Sequence, residues 1–145
     1  MGNRAVPADA DARSSAMTVD PQATSPRDIL ASPWLAGAVY CLPSAAIVAS
    51  GALAMASPLR GVLWAACLAV MAAGCLANAL RCGRTHCYFT GPFLIVMALT
   101  SLAYGLGVLA LGPGGWNEIS AATLGGAILF TFVPELVLGR YRRGR

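Results

Sequence analysis

Two of the five cysteines and the single histidine of this chain lie in one short run, Arg81-Cys82-Gly83-Arg84-Thr85-His86-Cys87. Positive charge beside a thiol favours the thiolate, which is both the nucleophile and the metal-binding form. Cys82 and Cys87 among Arg81, Arg84 and His86 are therefore candidate ligands, and sulfur donors select soft cations such as Cu(I) or Hg(II) over hard ones. Two cysteines and one histidine are one donor short of a closed structural zinc site. The competing reading is anchorage, because arginines at helix ends contact lipid phosphate and set topology without further chemistry.

A second set of sulfur atoms precedes this run. At 100° per residue, Cys67, Met71, Cys75, Asn78 and Cys82 fall within an arc of about 80° on one helix. Soft cations can be passed along such a stripe, although cysteine and methionine are equally at home as small or adaptable residues at an ordinary helix contact. Cys41 and Cys75 are equally distant from Pro58, where the chain turns, so two antiparallel helices would bring them face to face as a two-thiolate site. Glu135 follows Pro134 within an apolar stretch, where a carboxylate is costly unless it is paired. Its expected partners are Arg81, Arg84 or the C-terminal arginines, and a proton or cation relay is the alternative.

The elements that must position these groups are set by composition. The 145 residues are 57% hydrophobic and 11% charged, against roughly a quarter charged in soluble domains. The apolar residues form four blocks, at about 34–56, 61–80, 93–111 and 119–138, each near the ~20 residues a helix needs to cross a bilayer. The expectation is an all-α integral membrane protein, a four-helix bundle over residues 32–140. A disordered N-terminal tail over 1–31 precedes it and a basic tail over 141–145 follows.

Pro43 falls inside the first block and predicts a kink near Cys41, since proline removes a backbone donor and presses on the preceding turn. Pro92 is read as the start of the third helix. Small residues, Ser101 and Gly105 in the third block and Gly125 and Gly126 in the fourth, predict close helix packing.

Four spans put both termini and the Cys-His run on one side, together with every arginine except Arg60. The positive-inside rule then makes that side cytoplasmic, and the expected location is the inner (plasma) membrane. No nucleophile paired with a base, carboxylate pair, phosphate-cradling loop or nucleic-acid motif is present, so the reading is non-enzymatic and without a nucleic-acid partner. Five cysteines cannot all pair, and no double Cys-x-x-Cys spacing occurs.

The string Arg81-Cys82-Gly83-Arg84-Thr85-His86-Cys87-Tyr88-Phe89-Thr90-Gly91-Pro92 resembles a loop of small, uncharacterised prokaryotic multi-pass membrane proteins, which implies about four spans. A looser similarity is to the mercuric-ion transport proteins, which implies soft-metal transport. Those proteins carry adjacent cysteines in their first span, whereas Cys41 is followed here by Leu42 and Pro43. Two functions follow as expectations: binding or transport of a soft cation through Cys41, Cys75, Cys82, His86 and Cys87, or a non-catalytic membrane subunit that packs with copies of itself or with another membrane protein.

Overall fold

The computed structural model describes residues 32–139. The expectations of a disordered tail over 1–31 and a basic tail over 141–145 lie outside the described residues. Those described form an all-helical bundle of four helices, each long and apolar enough to cross a membrane. They are α1 (Pro33–Ala52), α2 (Ser57–Cys82), α3 (Cys87–Gly105) and α4 (Gly115–Leu138).

The centre of the bundle is the α2–α3 pair. Leu68, Ala72, Cys75 and Ala79 of α2 meet Cys87, Leu94, Met97 and Ala98 of α3, all buried. At the end of the pair remote from Arg84, Gly61 and Gly105 let the two backbones touch. A Cβ on Gly105 would lie 2.6 Å from the Gly61 Cα and 2.9 Å from the Ser57 carbonyl oxygen. Small residues at such a crossing allow the dispersion contacts that hold helices together in lipid.

The outer helices are attached differently. α1 is clamped to α2 by a buried hydrogen bond, with Trp64 Nε1 donating to Ser50 Oγ at 2.8 Å while Ser50 donates to the Ile47 carbonyl at 2.7 Å. α4 docks on α3 through Ile119, through the Phe93–Phe130 ring pair at 5.0 Å and through Gly126, which accommodates the Phe93 ring. In their most apolar windows only 11% of α1 and 6% of α4 is buried, against 44% for α2 and 39% for α3. Most side chains of the outer helices are therefore left for lipid or another membrane protein.

The expected kink in α1 takes a defined form. Gly37–Cys41 is a π turn set between α-helical Pro33–Ala36 and Leu42–Ala52, and it closes with the Leu42 N–H donating to the Gly37 carbonyl. Pro43 has no N–H to offer Val39, and widening the preceding turn relieves the clash of its ring.

α3 differs from its expected bounds at both ends. It begins at Cys87, with Thr90, Gly91 and Pro92 inside it. The N–H groups of Phe89 and Thr90 donate to the His86 carbonyl at 3.0 and 2.8 Å, so the first turn is already closed before Pro92 is reached. The helix then ends at Gly105 instead of near Leu111. Gly107, at φ +74°, donates to the Tyr104 carbonyl and Val108 donates to that of Ala103. Those two bonds are a Schellman termination, which needs a residue in the left-handed region and so favours glycine. Of the small residues expected to pack, Ser101 and Gly105 are buried, but a Cβ on Gly125 would meet nothing within 4 Å.

Candidate functional site

α2 ends where Gly83 takes a φ of +67° and its N–H bonds the Ala79 carbonyl, and α3 begins four residues later. Such a short connection brings the last turns of α2 against the first turn of α3 and folds the polar run inward. Asn78, Thr85 and Cys87 are completely buried, and Cys75, Arg84, His86 and Thr90 nearly so. What forms is a polar interior at one end of the bundle.

It has two parts. In the first, Cys75 of α2 and Cys87 of α3 lie buried as neighbours in the same core. Asn78 Nδ2 donates to Cys87 Sγ at 3.9 Å, and the Tyr40 hydroxyl contacts Cys75 Sγ at 3.7 Å. Gly91 lets α3 approach α2 here, since a Cβ there would meet the Leu76 side chain at 2.8 Å and Cys75 Cβ at 3.6 Å. In the second part, Glu135 Oε1 accepts from Arg84 Nε at 3.2 Å and meets His86 Nδ1 at 2.6 Å. This pair joins α4 to the α2–α3 turn and compensates the carboxylate within the apolar span. Tyr88 braces the same turn by donating its hydroxyl to the Ala79 carbonyl at 3.0 Å.

The residues singled out from sequence are thus sorted. Cys75, Asn78 and Cys87 come together, as do Arg84, His86 and Glu135. His86 Nδ1 is taken by Glu135, and among the described residues no three His, Cys, Asp or Glu side chains converge on one point. Cys87 is fully buried as the first residue of α3. Cys82 is the last residue of α2, and the expectations placed on its side chain lie outside the described residues. Arg81 is exposed at the same helix end.

Cys41 does not form the expected pair with Cys75. It is exposed, and its neighbour Tyr40 is the α1 residue that reaches the Cys75 sulfur. Counting equal distances from Pro58 assumes that both helices run up to the turn, whereas residues 53–56 are not helical and Ala54 takes a φ of +47°. Farther along the stripe, Cys67 is half-buried and Met71 accepts from Ser44 Oγ at 4.0 Å, so neither joins the thiol pair.

Tyr40, Thr85, Tyr88 and Thr90 belong to this region without having been singled out from sequence. Thr85 and Thr90 each bury a hydroxyl that has no hydrogen-bond partner among the described residues. The available signal was polarity itself, two threonines beside Cys87 in a segment flanked by apolar blocks. No family model, curated protein or solved structure matches the chain.

Proposed function

We propose that this membrane protein binds a soft cation of two-coordinate preference, Cu(I) or Hg(II), between Cys75 and Cys87. The support is one observation: two thiols buried as neighbours in the α2–α3 core, each with a polar partner, Tyr40 for one and Asn78 for the other. Two sulfur donors with no third ligand are too few for a closed zinc site but suit a soft ion held linearly. Binding replaces the thiol protons by two metal–sulfur bonds, and the displaced protons leave to solvent. The Asn78 amide and Tyr40 hydroxyl then serve as donors to thiolate sulfur.

The test is equilibrium dialysis of the purified protein against Hg(II), and separately Cu(I), in the presence of a competing small thiol. One ion per chain is expected, with binding lost in Cys75→Ser and in Cys87→Ser but kept in Cys41→Ser and Cys82→Ser. Binding that survives both of the first two substitutions, or that is lost with Cys82→Ser alone, overturns the proposal.

For orientation, the distribution of arginine favours the termini and the Arg84–His86 turn on the cytoplasmic side of the plasma membrane. A reporter active only in the cytoplasm is then expected to be silent when fused at Gly115 and active at the C-terminus. Activity at Gly115 reverses the assignment.

A second reading, a non-catalytic membrane subunit, is favoured by the apolar surfaces that α1 and α4 leave uncovered, Val48, Leu124 and Leu136 among them. It is the reading that stands if no soft cation binds.

A further inference from the structure

The end of the bundle remote from the thiols carries a second unusual feature. Arg60, in the first turn of α2, has its guanidinium 4.5 Å from the centre of the Trp116 ring and 5.4 Å from that of Trp64. The two indoles are themselves in contact at 5.4 Å, and Tyr104 meets Trp116 edge-on at 5.2 Å. This cage fixes the arginine by cation–π attraction. It offers no counter-charge: no carboxylate lies within ion-pair distance of Arg60 among the described residues, and its buried Nε has no hydrogen-bond acceptor.

From this cation a groove of about 480 Å³ runs between α1 and α4, which do not pack extensively on each other, with α2 as its floor. Its walls are apolar, Val48 on one side, Leu68 and Met71 beneath, Leu124 and Ala127 on the other. Val48 and Leu124 are largely exposed, so the groove is open sideways to hydrocarbon. From Arg60 to Met71 is ~16 Å along a helix, close to the ~15 Å depth of one leaflet's hydrocarbon, half of the ~30 Å core.

We propose that this groove is a binding site for an anionic phospholipid of the leaflet opposite the Arg84–His86 turn. One acyl chain lies along Leu68 and Met71, and the headgroup phosphate sits at Arg60. Three observations converge on a lipid: a caged, uncompensated cation at the mouth, an apolar trough one leaflet deep, and lateral opening to the bilayer. The site is independent of the Cys75–Cys87 pair, so either proposal can fail alone.

Tryptophan fluorescence reads this site directly, because Trp64 and Trp116 flank Arg60. In a Trp34→Phe background, the protein is reconstituted into vesicles of phosphatidylcholine containing either brominated phosphatidylglycerol or brominated phosphatidylcholine at equal mole fraction. Quenching is expected to show a preference of roughly fivefold for the anionic lipid, the size associated with one arginine near an anionic surface. Arg60→Gln should remove the preference, and Ala127→Phe, which fills the trough with Arg60 in place, should weaken it. Equal quenching by the two lipids in the parent protein overturns the proposal, as does a preference that persists in both variants.

Discussion

Replacing Gly105 by valine is expected to abolish the folded bundle, with Gly61→Val doing the same and Gly125→Val leaving it unchanged. The atoms that a new side chain would strike are backbone, the Gly61 Cα at 2.6 Å and the Ser57 carbonyl oxygen at 2.9 Å from the added Cβ. Backbone cannot rotate aside as a side-chain tip can, so the helices must part along the whole α2–α3 seam. Overpacking against side chains costs ~1–3 kcal/mol, and a clash with helix backbone belongs at or above the top of that range. The measurement is the temperature at which detergent-solubilised protein loses its monodisperse peak. A Gly105→Val protein with the parent's transition would mean that the two helices are not in contact there.

The second large effect is expected at Glu135. Glu135→Leu leaves Arg84 and His86 without the carboxylate they share, at side-chain exposures of only 10% and 11%. Removing one partner from a buried pair costs ~3–5 kcal/mol, because the remaining charge stays desolvated. The double substitution Arg84→Met with Glu135→Leu should recover most of that loss, since an apolar pair of similar volume carries no such penalty. Glu135→Gln, which keeps an acceptor oxygen, should lie between the parent and Glu135→Leu. Equal stability of Glu135→Leu and the parent protein would show that the contact contributes nothing. A double variant no better than the single one would place the cost in lost packing.

Much of this architecture is legible in the chain because lipid imposes few solutions. Long apolar blocks must be helices, and a carboxylate such as Glu135 among them must find a cation, which narrows its partners to the arginines at that end. The face of α2 that bears Cys75 and Asn78 follows from helical spacing, and it is the face that meets Cys87. What spacing does not convey is register. Pro92 is an ordinary signal for a helix start, but the His86 carbonyl had already collected the N–H groups of Phe89 and Thr90, so the proline falls within the helix. Leu106-Gly107 is a stop signal hidden by the apolar Val108-Leu109-Ala110-Leu111 that follows it. Cys41 is misplaced because the first helix stops at Ala52, and the non-helical residues 53–56 before the turn are not anticipated by a count along ideal helices. The cage around Arg60 joins residues of α2 and α4 far apart in sequence, and only the packed bundle brings them together.

The early stop at Gly107 has a further consequence, for the bilayer itself. α3 has 19 residues, a length of ~28 Å, whereas α2 has 26 and reaches ~39 Å. Two helices so tightly joined at Gly61 and Gly105 cannot adjust their tilt separately, so the shorter one governs the hydrocarbon thickness the bundle tolerates. The excess of α2 emerges at the surface, where its terminal arginines Arg60 and Arg81 lie. A helix of ~28 Å fits a bilayer slightly thinner than the ~30 Å average; in a thicker one, lipid beside α3 must be compressed, at a fraction of a kcal/mol for each ångström of mismatch. The Schellman turn thereby makes membrane thickness a variable to which this protein is sensitive.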